Sequence, residues 1–273
     1  MTRPIRLLPW SAAPADCELA SSAALLAGIE DTGQPAMRWY EMAPPALVLG
    51  SGQQPTDVNM AACAAMGVPV VRRSSGGGAV FTGVSLSLDV ALPPEDPLDS
   101  HDITESYRWL GEVWVAALAS LGIAGRLVGV AEARADAQSL SPLFKRVCYA
   151  GLSPYEVAVG TRKVVGLAQR RRRQGALLQG GVYWHWPSQE TAALVGVTEV
   201  EQAALAAELP ARVAGLDELR PEGAPPLAAL KEAFETALQE RGNVVPSPTD
   251  WTAGETAARE AALAQYAPLP LRY

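Results

Sequence analysis

Four stretches of this sequence hold residue types that do chemistry. The first is Arg72-Arg73-Ser74-Ser75-Gly76-Gly77-Gly78-Ala79-Val80. Adjacent glycines cost about 1 kcal/mol each in chain entropy relative to alanine. They suit a backbone that must pass close to a ligand, or that aims successive N–H groups at an anion. With the two arginines beside them, Arg72, Arg73, Ser75, Gly76, Gly77, Gly78 and Ala79 are candidate substrate-binding residues; a glycine-rich turn between strands is the plainer alternative. No Gly-Lys-Ser/Thr follows, so the run is not a Walker loop, and the spacing is not that of a dinucleotide fingerprint. The second stretch holds Cys148, in Lys145-Arg146-Val147-Cys148-Tyr149. If it is extended, Arg146 and Cys148 share a face, and a nearby cation favours the nucleophilic thiolate. A small buried hydrophobe is the commoner fate of a free cysteine.

The third is Lys163, at the start of an expected strand in Gly160-Thr161-Arg162-Lys163-Val164-Val165-Gly166. The chain has only three lysines among its 22 cationic residues. Where arginine is preferred so heavily, a lysine stands out for its compact, titratable ammonium, although a solvated hairpin cation fits as well. The fourth is Arg170-Arg171-Arg172-Arg173, either a solvated hairpin tip or a docking patch for an acidic protein. Cys17 and Cys63 sit in helical patterns among Ala and Leu and read as packing. Neither His101 nor His185 lies in a catalytic motif, and no Gly-x-Ser-x-Gly elbow is present.

The elements that must position these residues follow from periodicity. Residues 17–29 suit a helix with Asp16 as N-cap. Residues 37–42 and 46–49 read as strands about Pro44-Pro45. Residues 57–66 look helical, capped by Thr56 or Asp57, and 68–72 form a β-rich run into the glycines. Residues 84–92 alternate as a half-buried strand. Residues 103–121 place Ile103, Tyr107, Leu110, Val113, Trp114, Ala117 and Leu118 on one helical face. Residues 154–159 and 162–170 are two strands about a tight turn. From about residue 188 the chain turns helical, with helices near 189–195, 226–240 and 254–265, broken at Pro246-Ser247-Pro248. There is no strict βαβ rhythm, so the expected fold is α+β: a mixed, largely antiparallel sheet with packed helices in one domain, residues 1–273, without an accessory domain.

The 273 residues carry a formal charge of −7. An acidic chain releases few counterions and is a poor non-specific partner for nucleic acid. Three well-separated cysteines and no Cys-x-x-Cys pair argue against a disulfide scaffold and a zinc site, so no metal is expected. Neither a signal peptide nor a membrane span is read, and the expected location is the cytoplasm.

Taken in order, these pieces resemble the biotin/lipoate A/B protein ligase superfamily, in its lipoate–protein ligase A branch. The likeness runs from about residue 30 to 185. It is carried by Leu49-Gly50-Ser51-Gly52-Gln53, Asp57-Val58-Asn59, the Arg72–Val80 run, Thr104-Glu105-Ser106-Tyr107-Arg108 and Ser153-x-Tyr155-Glu156. Gly160-x-Arg162-Lys163-Val164-Val165-Gly166-x-Ala168-Gln169 and Leu178-Gln179-x-Gly181 complete it. The resemblance implies a class II aminoacyl-tRNA-synthetase/biotin-synthetase-like fold and adds Gly166 and Ala168 to the substrate-binding set. It implies attachment of an octanoyl or lipoyl group to a lysine of lipoyl domains, those of 2-oxoacid dehydrogenases or of the glycine cleavage H protein.

Two chemistries compete within that branch. Ligases activate a free acid with ATP and Mg. Octanoyltransferases need no cofactor and take the acyl group from a carrier, octanoyl-acyl carrier protein or a lipoylated protein, through an enzyme thioester. The cysteine-dependent ones place their nucleophile in a Cys-Phe segment before a Pro-Ser-x-Tyr-Glu strand. Cys148-Tyr149, followed by Leu152-Ser153-Pro154-Tyr155-Glu156, is similar, which makes Cys148 the implied nucleophile and Lys163 the group that steadies the acyl carbonyl. The sequence departs from the branch in four places, one of them the C-terminal Lys-Tyr…Trp ending, replaced by Gln265-Tyr266 and a proline-rich tail. Thr82-Gly83 stands for His-Asp, Gly166-Leu167-Ala168-Gln169 for Gly-Ser-Ala-Gln, and Gln179-Gly180-Gly181 for Gln-His-Gly. Lost polar groups count against adenylate chemistry and leave a non-catalytic acyl- or partner-binding relative as a third reading.

Overall fold

The computed structural model describes residues 2–270. Their strands are β1 (Arg3–Leu7), β2 (Ser11–Ala13), β3 (Ala36–Met42), β4 (Leu47–Leu49), β5 (Val70–Arg72), β6 (Val80–Phe81), β7 (Ser85–Leu92), β8 (Arg126–Leu127), β9 (Val157–Val159), β10 (Arg162–Arg172), β11 (Gly175–Tyr183) and β12 (Val244–Pro248). Their α-helices are α1 (Ala15–Ala27), α2 (Ile29–Thr32), α3 (Met60–Ala65), α4 (Arg108–Ser120), α5 (Val130–Ser139), α6 (Pro142–Lys145), α7 (Ser188–Val195), α8 (Glu199–Arg212), α9 (Leu227–Gly242) and α10 (Ala253–Ala262). The main sheet runs β12-β1-β3-β7-β11-β10-β9-β8, with β2 also on β3, and a small sheet runs β5-β4-β6. In the main sheet β12–β1, β1–β3 and β2–β3 are parallel, and every other pair is antiparallel. This is the mixed, largely antiparallel architecture expected from the sequence.

β7 is central, and its alternation has a different outcome from the half-buried strand expected. All its residues but Ser87 are buried, because both faces are covered. Leu86, Leu88, Val90 and Leu92 enter the main core with Leu110, Val113, Trp114 and Leu118 of α4 and Phe234 of α9. There Trp39 meets Trp114 and Phe234 edge-on, with centroids 5.8 and 5.0 Å apart; each such pair adds about 0.5–1.5 kcal/mol beyond its buried area. Ser85, Ser87 and Asp89 point to the opposite face, where the site lies.

Several boundaries differ from expectation for local reasons. Ile103 is 61% exposed rather than on the buried face, because the side chain of Asp102 accepts hydrogen bonds from the Thr104 and Glu105 N–H groups and delays the helix to Arg108. α1 follows Pro14, and Asp16 sits in its first turn instead of capping it. Asn59, not Thr56 or Asp57, caps α3. α8 carries Pro210 in its last turn and was not expected. β11, rich in glycine, and β12, with Pro246 and Pro248, also escape the strand pattern. β12 is an edge strand bonded only to β1, where proline is tolerated. No helix of the described residues is long and apolar enough to cross a membrane.

Candidate active site

The glycine run spans the gap between β5 and β6, and it is zipped to the chain around Cys148. The Ala79 N–H donates to the Arg146 carbonyl at 2.7 Å, and the Cys148 N–H donates to the Ala79 carbonyl at 2.9 Å. This contact needs glycine at two places. Gly77 has φ +91°, and a Cβ on Gly78 would lie 2.7–2.8 Å from backbone atoms of Arg146, Val147 and Cys148. Arg73 folds back under the loop. Its guanidinium donates to the carbonyls of Gly76 (2.7 Å), Gly78 (2.8 Å) and Val48 (3.3 Å) and lies 3.8 Å from the Cys148 Sγ.

The cation beside the sulfur is therefore Arg73 and not Arg146, which correlates with a second difference. The stretch is not extended: α6 runs up to it, and Cys148 opens a 3-10 turn, Cys148–Ala150. Arg146 is turned away and pairs with Glu201 at 3.1 Å.

Lys163 lies beneath this turn. It is 1% exposed, and its ammonium bonds the Glu156 carboxylate at 2.7 Å and the carbonyls of Cys148 and Gly151, each at 3.1 Å. A register shift between Lys163 and Val165 interrupts β10 at this point. Glu156 accepts further bonds from the N–H groups of Ser153 (2.7 Å) and Leu167 (3.1 Å). Burial pushes the Glu156 carboxyl upward, against the pull of Lys163. The ammonium thus holds the main chain of the cysteine's turn.

Two cavities meet at Cys148. A narrow one of about 100 Å³ has mainly apolar walls that include Arg73, Tyr149, Gly166, Ala168 and Gln179. A wider one of about 400 Å³ is lined by Ser75, Gly76, Gly77 and Gly78, with Asp136 and Lys145. Cys148, Leu167 and Ala168 belong to both. Of the residues picked from sequence, Arg72, Ala79 and Lys163 line neither. Arg72 ends β5 with a buried, unpartnered Nε, and Ala79 acts through its backbone. The Arg170–Arg173 run divides: Arg170 reaches the Tyr266 hydroxyl at 3.4 Å, Arg171 pairs with Asp99 at 2.6 Å, and Arg173 is almost fully exposed.

The sequence reading assigned no role to a buried chain of bonds under the loop. The Ser75 hydroxyl donates to Gln179 Oε1 (3.4 Å), and Gln179 Nε2 donates to Asp89 (2.8 Å). Arg38 joins Asp89 (2.9 Å) to Glu18 (2.5 Å). Arg38 and Asp89 fall on the polar side of their strands' alternation, so the pattern gave no signal that they are buried. Glu156 and Tyr149 also went without roles, although both stood inside the quoted motifs.

The profile of the lipoyl protein ligase A/B catalytic domain matches residues 15–239. The chain belongs to that family. Curated relatives include octanoyltransferase LipM of an Exiguobacterium species, 38% identical over 149 residues, which are 54% of this chain and 53% of the relative. Octanoyltransferase LipM of Carboxydothermus hydrogenoformans is 33% identical over 161 residues, 59% of this chain and 57% of the relative. The chain thus matches little more than half the length of these relatives. Among solved structures, the bipartite lipoate protein ligase of Thermoplasma acidophilum superposes with a TM-score of 0.78 at 19% identity, covering 97% of this chain and 93% of that one. A lipoate-protein ligase A bound with ATP gives 0.77 at 19% identity, covering 96% and 95%. The fold is that of the lipoate ligases, of the class II synthetase-like type.

Proposed function

We propose that the chain is a cysteine-dependent acyltransferase that moves an octanoyl or lipoyl group from a carrier protein to a lysine of a lipoyl domain. The observation that carries this reading is the place of Cys148, at the junction of a narrow apolar cavity and a wider, more polar one. The first suits an acyl tail and the second the arm that delivers or receives it. The Cys148 thiolate attacks the carbonyl carbon of the donor thioester; a new C–S bond forms, and the carrier thiolate leaves. The acceptor amine then attacks the acyl-enzyme, the amide bond forms, and Cys148 departs as thiolate while the amine loses a proton. Arg73 sets positive charge beside the sulfur, and Lys163 with Glu156 fixes the turn that carries it. Relatives named octanoyltransferase support octanoyl as the group moved; the donor in this reading is octanoyl-acyl carrier protein, with a lipoylated protein as the other source. We also take the described residues as one catalytic unit, because β12 returns to pair with β1. A reducing cytoplasm suits Cys17, Cys63 and Cys148, all free thiols.

The ATP-dependent ligase is the competing reading, supported by the fold of its structural neighbours. A triphosphate with Mg fits the wider cavity poorly. The charged side chains along it are Lys145 and Asp136, and Arg73 spends its donors on three carbonyls. Intact-mass measurement after mixing with octanoyl-acyl carrier protein, without ATP, separates the readings. A hydroxylamine-labile octanoyl adduct on the wild type and none on Cys148→Ala is expected. No adduct, with lipoate and ATP yielding a lipoylated acceptor, would overturn the transferase. Silence in both assays with competent partners would leave a binding-only relative.

A further inference from the structure

The strand register turns the floor of the narrow cavity into a ruled surface. Across the sheet face, Gly166 pairs with Gly181, Gly181 with Ser87, and Ser87 with Tyr40. One row of side-chain positions therefore crosses β10, β11, β7 and β3, and all four residues line the cavity. At the Cys148 end the two glycines are covered by Tyr149. A Cβ on either would stand 3.0 Å from that ring or its hydroxyl, and the hydroxyl donates to the Gly181 carbonyl at 2.7 Å. At the far end Tyr40 is 4% exposed, with the Arg38 guanidinium 3.9 Å from its ring centre. Arg38 is itself pinned by Glu18 and Asp89, so the Tyr40 ring packs against a fixed cation. Between the two tyrosines the only side chain rising from the row is that of Ser87. Leu19, Met42 and Val48 complete the walls. β11 and β3 are two strand spacings apart, roughly 10 Å.

We infer that this trough measures the acyl chain, with Ser87 setting its depth midway and Tyr40 and Leu19 forming its end stop. The inference rests on the acyl-enzyme reading and adds which residues select the chain length. A larger side chain at position 87 would fill the trough and leave room only for a short acyl group. A smaller one at position 19 would lengthen it. Ser87 is a small side chain in a slot whose walls are mainly apolar, so it leaves the tail room to pass.

The test offers butanoyl, hexanoyl, octanoyl, decanoyl and dodecanoyl carrier protein to the full chain and reads Cys148 adducts by intact mass over time. Ser87→Leu should cut octanoyl loading by about tenfold or more relative to butanoyl, since a single methylene in a fitted apolar pocket is worth 10-fold or more. Leu19→Ala should shift the preference toward decanoyl and dodecanoyl. Thermal shift with the free fatty acids reads the same length profile without any chemistry, and it also reports whether each variant folds. Unchanged length profiles in folded Ser87→Leu and Leu19→Ala, by both readouts, would overturn the ruler. Absence of any adduct on the wild type, with the fatty-acid profiles shifted as expected, would instead overturn the acyl-enzyme reading and leave the ruler standing.

Discussion

The Lys163–Glu156 pair lies fully buried under the Cys148 turn, and its removal should act on both stability and loading. Lys163→Met removes the partner of a carboxylate that is almost without solvent contact. Breaking a buried pair this way costs about 3–5 kcal/mol. The carbonyls of Cys148 and Gly151 lose their donor in the same step, a further but non-additive penalty of about 1–3 kcal/mol. For a chain of this size each kcal/mol shifts Tm by about 2–4 °C, so the variant should melt about 6–20 °C lower. Much of that loss is the uncompensated carboxylate. Neutralising it in Lys163→Met/Glu156→Gln should therefore return part of the stability, which a double-mutant cycle in urea reads as an interaction of about 1–3 kcal/mol. Loading of the cysteine should slow in the single variant mainly through kcat, because the turn loses its anchor while the narrow cavity keeps its walls. A loss under about 1 kcal/mol, or strict additivity in the cycle, would refute the claim that this pair holds the turn in place.

Two further outcomes follow from the same geometry. Gly78→Ala drives a methyl into the backbone of residues 146–148, which cannot yield as a side-chain tip would. It should destabilise by about 1–3 kcal/mol and abolish adduct formation, read by urea unfolding and intact mass; normal loading would show the loop contact to be dispensable. Burial raises the Glu255 carboxyl, but the hydrogen bonds and charge of Arg6 outweigh it, and the folded carboxyl stays below its usual 4.5. Its stabilisation is therefore complete above pH 4.5 and is lost as the pH falls through the lower, folded value. Glu255→Gln should flatten the loss of stability below pH 4.5, and an unaltered acid-unfolding curve would count against the Arg6 bond as its source.

The sheet class was legible because it rests on alternation and on the absence of a βαβ rhythm, which local sequence carries. The glycine run and Cys148 stood out by residue type, and the structure brings the two segments into contact. What stayed hidden depends on contacts between distant segments. That Arg73 rather than Arg146 faces the sulfur follows from how the loop folds back on itself, and no local spacing encodes it. Lys163 read as a site residue for its rarity, yet only the register shift in β10 and the position of Glu156 show that its ammonium holds main chain. β12 was hidden by its prolines, since an edge strand tolerates what a central one does not. Asp89 lay in a strand whose alternation implied one solvated face, and the second layer of helices that buries it lies elsewhere in the chain.

In the proposed reaction Cys148 carries the acyl group between two proteins. The most direct test isolates the octanoyl-enzyme, removes the donor, and adds a lipoyl domain without ATP in a single turnover. Octanoyl mass should leave Cys148 and arrive on the acceptor lysine with matching rates, and Cys148→Ala should give no product from octanoyl carrier protein. An acyl-enzyme that never passes its group on, or an acceptor modified by Cys148→Ala as fast as by the wild type, would contradict it.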